Sequence, residues 1–183
     1  MFGFIKKFML NLLDTRMYWF CVAAISAIFE YCGYYFQYVE DLKPCELCVY
    51  ERCAFACILI IGLFVMIKPN VLKWIGIPAW IYAAYMGLSV AIEHVAAENN
   101  IFATCNQTIG AGRFWIPLDQ YIPEFFNPTG ACGDIPWKLF DLSMPWWVRA
   151  IFIGYLSAIA VSVLWHLAMT HWRRRAVREG WFS

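Results

Sequence analysis

The chain has 183 residues, 62% of them hydrophobic and 19% aromatic, with only 15% charged and a formal net charge of +1. Soluble domains average about a quarter charged, so the composition excludes an ordinary soluble globule and points to a membrane protein. The basic residues form no stripe along any face, which excludes nucleic acid as a partner.

Four apolar segments approach or exceed the ~20 residues that cross a bilayer as a helix. The first covers about 17–37 and continues through Tyr34, Tyr35 and Phe36 without a small-residue cleavage site. It is expected to stay as an anchor rather than to be removed as a signal peptide. A few polar residues, Glu40-Asp41-Leu42-Lys43, lead into the second, at about 45–67, which opens on the stretch KPCELCVYERC. The chain turns at Lys68-Pro69-Asn70 into the third, at about 71–92, where Pro78 predicts a local kink. A long loop over about 93–145 precedes the fourth, at about 146–169. No repeat, low-complexity stretch or separately folding soluble segment interrupts this plan. The expectation is an all-α membrane protein, a four transmembrane helix bundle forming one membrane domain over 1–183.

Lysine and arginine placement sets the expected orientation, since cytoplasmic flanks carry the excess. Lys6, Lys7, Arg16, Lys68, Lys73, Arg173, Arg174, Arg175 and Arg178, nine of the 14 basic residues, fall on one side if the spans alternate. Lys43, Arg113, Lys138 and Arg149 fall on the other, among many carboxylates. Both termini are therefore expected in the cytoplasm, with the short first loop and the long third loop outside. Tyr34, Tyr35, Trp115, Trp146 and Trp147 suit the outer interface, and Trp74 and Trp172 the inner one.

On this plan the eight cysteines divide by depth. Cys21, Cys32, Cys53 and Cys57 lie within apolar helices and read as small packing residues. Cys45, Cys48, Cys105 and Cys132 lie at the outer face, in the compartment that tolerates disulfides. Pro44 suits a first helical turn. A helix starting at about 44 would set both Cys45 and Cys48 at the positive end of its dipole, which favours thiolate over thiol. Cys45, Cys48 and Arg52, spaced by three and four, share one helical face. Arg52 thus brings a permanent positive charge beside Cys48. A charge inside a span is a functional candidate by default, and Glu30, at similar depth in the first span, is expected to partner Arg52 or another polar group inside the bundle. The loop segment FWIPLDQYIPEFF, residues 114–126, is too short and proline-broken to cross the membrane. Lying in the interface, it would hold the loop's cysteines near Cys45 and Cys48.

Other uses of these residues are weaker. A zinc site built from the four outer cysteines lacks a close second pair, because Cys105 and Cys132 are far apart in sequence. Haem would need two facing axial ligands, whereas His94 lies near one surface and His166 and His171 near the other. A non-enzymatic four-span scaffold stapled by structural disulfides is the alternative that stays open.

Together, PCELCVYER at the head of the second span, Glu93-His94 at the end of the third, ATC at 103–105, Cys132, WIPLD at 115–119 and MPWW at 144–147 resemble the DsbB family of bacterial quinone-dependent disulfide oxidases. The likeness covers nearly the whole chain. The related vitamin K epoxide reductases place their two cysteine pairs in the opposite order. The resemblance implies an inner-membrane enzyme that reoxidises a periplasmic DsbA-like thioredoxin-fold dithiol protein. It implies two redox-active disulfides, Cys105–Cys132 in the loop and Cys45–Cys48 at the membrane. Electrons would enter at Cys105, Cys132 would attack Cys45, and Cys48 would pass them to a quinone, either ubiquinone or menaquinone. Arg52 would meet the quinone carbonyl, with His94 in support. No resident metal is implied.

Redox arithmetic calls either for a strained loop bridge or for a strong acceptor, and a quinone in the bilayer is a natural one. A DsbA-type protein has a potential near about −120 mV, whereas structural disulfides lie below about −300 mV. A relaxed bridge would fall short by roughly 180 mV, on the order of 8 kcal/mol for two electrons.

Overall fold

The computed structural model describes residues 12–98, 128, 130 and 137–179. Cys105, Cys132, Trp115 and the 114–126 segment lie outside the described residues. Four helices carry the fold: α1 (Arg16–Tyr38), α2 (Glu46–Ile67), α3 (Pro69–Glu98) and α4 (Met144–Arg178). All four are long and apolar enough to cross a membrane, so the chain is the all-α four-span protein that its hydropathy predicts.

Local chemistry sets the helix boundaries. Thr15 precedes α1, its hydroxyl donating to Leu12 O at 2.8 Å. The chain leaves α1 through Asp41, whose φ of 53° lies in the left-handed region. Its short polar side chain tolerates that conformation. Helix α2 begins at Glu46, two residues later than the sequence suggests, because Cys45 itself is the N-cap in extended conformation. Pro44 therefore stands ahead of the cap rather than in the first turn. Only Lys68 separates α2 from α3, which opens on Pro69, where a missing N–H leaves nothing unsatisfied. Helix α3 runs on through Pro78 and past the apolar 71–92 window as far as Glu98.

Successive helices pack as neighbours, α1 on α2, α2 on α3 and α3 on α4. Their shared core joins Trp19, Phe55, Ile58, Trp80, Phe152 and Tyr155. Phe55 and Phe152 stack with ring centroids 4.5 Å apart and planes 13° from parallel. Gly87 makes room for this: a Cβ there would lie 2.3 Å from the Phe152 ring. Two hydroxyl pairs are matched inside the bundle, with Tyr18 donating to Ser162 at 2.8 Å and Ser26 bonded to Tyr155 at 2.8 Å. The outer surface is apolar instead, exposing Ile60, Phe64, Val161 and Leu164 among others. In lipid such a surface needs no cover, and the helices satisfy their own backbone bonds.

The two ends are closed differently. At one, Lys73 pairs with Asp14, Trp19 Nε1 donates to Leu13 O at 2.9 Å, and Arg16 reaches Ile67 O. At the other, a two-stranded hairpin caps the start of α4: β1 (Lys138–Leu139) and β2 (Leu142–Ser143) are antiparallel, with Lys138 opposite Ser143. Its two turn residues, Phe140 and Asp141, have φ of 52° and 60°. Positive φ at both central positions is the type I′ geometry that matches strand twist. Ser143 donates to Glu98 at 2.8 Å and Trp147 Nε1 to Leu139 O at 3.2 Å, tying the hairpin to α3 and α4.

Candidate functional site

The site grows from the cap of α2. As N-cap, Cys45 turns its sulfur toward the free N–H groups of the first turn, and Cys48 N–H donates to it at 3.2 Å. One helical turn separates the two cysteines, so the Cys48 sulfur comes within 2.7 Å of the Cys45 sulfur. A bridge between them lies within side-chain reach.

Helix α3 supplies the next layer. His94 projects from its last turns, with Nε2 3.5 Å from Cys45 Sγ and Nδ1 3.0 Å from a Glu51 carboxylate oxygen. Glu51 stands three residues beyond Cys48 and faces the same way. Both His94 and Glu51 are buried. The imidazole is thus clamped between a carboxylate and a sulfur. Cys45 precedes the helix and is itself buried. Its thiol is drawn down to about 5, first by the hydrogen bond with the Cys48 sulfur. Burial opposes this, while the bond and charge of His94 and the Cys48 N–H add to it.

Arg52 lies one turn deeper. It donates to Gln37 of α1, and its Nε is 3.9 Å from Glu30, which is the partner expected from the shared depth of the two residues. The side chain passes close to Gly33, where a Cβ would lie 3.3 Å from the guanidinium nitrogen and its neighbouring carbon. Arg52 stands near enough to Cys48 for their charges to interact. His94 and the Cys48 N–H both meet Cys45, whereas Arg52 engages α1.

These groups line one cavity of about 280 Å³, near the lower end of ordinary ligand sites. Both sulfurs, Arg52, Glu51, His94 and Glu98 contribute its polar edge. Phe29, Phe36, Phe55, Trp137, Trp147 and Ile151 are among its apolar walls. Cys32, a packing residue by sequence, also faces it. Besides Trp137, the long loop meets this end through Gly130, whose N–H donates to Pro44 O at 3.0 Å. A Cβ on Gly130 would lie 2.4 Å from Lys43 O, so only glycine permits this approach.

Four of the six sequence candidates, Cys45, Cys48, Arg52 and His94, thus meet around one cavity. Cys105 and Cys132 lie outside the described residues. Sequence reasoning gave no role to Glu51, Gln37 or Gly130. For Glu51 a signal existed, a carboxylate inside a span at i+3 from Cys48; for Gln37 and Gly130 only tertiary contact reveals the part.

A family model described as disulfide bond formation protein DsbB matches residues 15–162. Disulfide bond formation protein B of Vibrio cholerae serotype O1 is 39% identical over 161 residues, covering 86% of this chain and 92% of that protein. The Aeromonas salmonicida protein of the same name is 36% identical over 88% of this chain and 95% of its own length. That of Escherichia coli strain K12 is 34% identical over 86% and 91%. The chain belongs to the DsbB family, and it is a multi-pass membrane oxidoreductase that forms disulfide bonds.

Proposed function

We infer that this protein reoxidises a periplasmic DsbA-like dithiol protein and delivers the electrons to a membrane quinone, using Cys105, Cys132, Cys45 and Cys48 as its redox cysteines. The observation that carries this reading is the cavity: it joins two sulfurs, a buried cation and a largely apolar wall at the mouth of a membrane-spanning bundle. Orientation follows the charge bias, with both termini in the cytoplasm, the cysteine-bearing loops in the periplasm and the bundle in the inner membrane.

The residues present fit a quinone ring. Aromatic and aliphatic side chains offer an apolar wall, and Arg52 offers a donor to a carbonyl oxygen, with His94 in support beside Cys45. A quinone there supplies the two-electron acceptor for the pair released through Cys48.

The protein's own steps are thiol–disulfide exchanges. The partner's thiolate attacks the loop bridge at Cys105, breaking the Cys105–Cys132 bond and freeing Cys132 as a thiolate. Cys132 attacks Cys45, breaking the Cys45–Cys48 bond, and Cys48 carries the displaced electron pair. The partner's second thiolate breaks its bond to Cys105 and leaves the partner oxidised, and Cys105 then attacks Cys132, restoring the loop bridge and releasing Cys45 as a thiolate. One feature favours the second exchange and another the later release of Cys45. Gly130, two residues before Cys132, is bonded to Pro44, the residue before Cys45. The Cys48 N–H and His94 then stabilise negative charge on the Cys45 sulfur when that thiol must leave or attack again. Glu51 holds the His94 ring in place. Arg52, oriented by Gln37 and Glu30, keeps a fixed positive charge facing the cavity.

The test is reconstitution. Purified protein, a reduced DsbA-like partner and a soluble quinone should oxidise the partner and reduce the quinone in equal amounts. Cys48→Ser should abolish the coupled turnover. Turnover surviving that change, or a purified protein that neither turns over nor binds quinone, would leave a structural scaffold in its place.

A further inference from the structure

We propose that the reduced Cys45–Cys48 pair and His94 form a site for a thiophilic divalent cation of the zinc type, and that occupation of this site stalls the enzyme. This rests on the reading that Cys45 and Cys48 pass through a dithiol state. The metal site differs from one built on the four outer cysteines, because its third ligand comes from α3.

Geometry is the first argument. One ligand atom from each of Cys45, Cys48 and His94 lies within 4.8 Å of the other two. Zinc takes sulfur at about 2.3 Å and imidazole nitrogen at about 2.0–2.1 Å in tetrahedral array. That array separates sulfur from nitrogen by about 3.6 Å and the two sulfurs by about 3.8 Å. The Cys45 sulfur already lies 3.5 Å from His94 Nε2. Only the 2.7 Å separation of the two sulfurs must widen, by about 1 Å, to reach that spacing.

The second argument is the back of the imidazole. Metal-binding histidines hold their other nitrogen on a carboxylate or carbonyl, which fixes tautomer and orientation. His94 does so through Nδ1, 3.0 Å from buried Glu51. With Nδ1–H donating to Glu51, Nε2 presents its lone pair toward the sulfurs. The three ligands also line the cavity, which leaves space for a fourth ligand from solvent. Three protein ligands with one open position is a recognised zinc arrangement.

Charge and softness select the ion. Two thiolates and a neutral imidazole balance a divalent cation, so the occupied site carries no net charge among its ligands. Thiolates favour Zn2+ or Cd2+ over Mg2+ and Ca2+. Binding displaces whatever protons the two sulfurs and the Nε2 position hold, forms two sulfur–metal bonds and one nitrogen–metal bond, and moves no electrons. A Cys45–Cys48 disulfide offers no thiolate, so metal binding and the oxidised state exclude each other. A reduced molecule that captures the ion has both sulfurs occupied and cannot pass electrons on.

The experiment uses the full chain in detergent with Cys105→Ser and Cys132→Ser, so that the loop thiols cannot compete. The protein is reduced anaerobically, its thiols are counted, and it is titrated with Co2+. We expect one equivalent to produce sulfur-to-cobalt charge-transfer absorption and tetrahedral visible bands, displaced by Zn2+ or Cd2+ but not by Mg2+, and absent after oxidation. Glu51→Gln should weaken Zn2+ binding about 10–100-fold, and His94→Gln should weaken it further. A counted dithiol that gives no tetrahedral cobalt spectrum overturns the site while leaving the redox reading intact. Equal affinity in the parent, His94→Gln and Glu51→Gln proteins does so too, since that is the behaviour of a bare dithiol. A Cys45–Cys48 pair that resists reduction overturns both readings.

Discussion

At one end of the bundle Lys73 pairs with Asp14, and at the other Arg52 pairs with Glu30. Both cations are buried and both carboxylates belong to the N-terminal part of the chain. Around Lys73 the neighbours close in, with Trp74 beneath the ammonium and the Trp19–Leu13 bond beside Asp14. Around Arg52 they stand back, leaving an apolar cavity edged by two sulfurs and an imidazole. A buried ion pair is therefore a weak sign of chemistry by itself. What distinguishes the second is the space beside it and the reactive atoms that share that space.

Substitutions can break this contrast. Arg52→His should lower the efficiency of quinone use by about 100-fold, the scale of removing a donor aimed at developing charge. Exchange between the partner and the loop cysteines should stay within a few-fold, and rapid-mixing assays of the two half-reactions would separate them. Lys73→Met should reverse the pattern. It strands Asp14 and should cost about 3 kcal/mol of stability, visible in detergent-denaturation midpoints, with quinone kinetics near those of the parent. If Lys73→Met slows quinone reduction as much as Arg52→His, the two ends do not differ in the way described.

Smaller changes sharpen the comparison within the reactive end. Gly130→Ala should slow transfer from the loop pair to Cys45 by about 10-fold, since small misplacements of reacting groups are costly. Direct oxidation of the Cys45–Cys48 dithiol by quinone should be unaffected, as single-turnover measurements would show. The last prediction concerns pH. In the reduced protein, alkylation of Cys45 should rise with a midpoint near 5, against about 8.5 for an ordinary thiol, and His94→Gln should move that midpoint upward. Because the folded thiol titrates below its unfolded value, it stabilises the reduced protein fully above about pH 8.5. That contribution is lost as pH falls toward 5. Thermal unfolding of the reduced protein across that window would measure it.

Much of the fold was legible in the sequence because lipid imposes a simple rule: long apolar runs become helices. Arg52 and Glu30 could be paired for a related reason, since equal depth in neighbouring spans brings two charges together. The cap of α2 was read less well. A proline suggested the start, but the Cys45 sulfur takes the capping role and moves the helix on by two residues. Glu51 was hidden by its neighbour, because Glu-Arg in sequence reads as one charged patch. In the helix the two point apart, one to His94 on α3 and the other to Gln37 on α1. That division depends on helix rotation within the bundle, which spacing alone leaves undetermined. Gly130 carries no chemical signal at all, and its importance appears only against the backbone at Lys43 and Pro44.

Where Gly130 meets Pro44, the long loop acquires a fixed pivot, and the length of chain beyond it acts as a leash. Residues inserted well upstream would lengthen the loop without altering that leash. A single residue inserted between positions 130 and 132 would add up to about 3.5 Å of reach, more than the whole length of a sulfur–sulfur bond. On the proposed relay, an insertion across those two peptide units should therefore slow the exchange between Cys132 and Cys45.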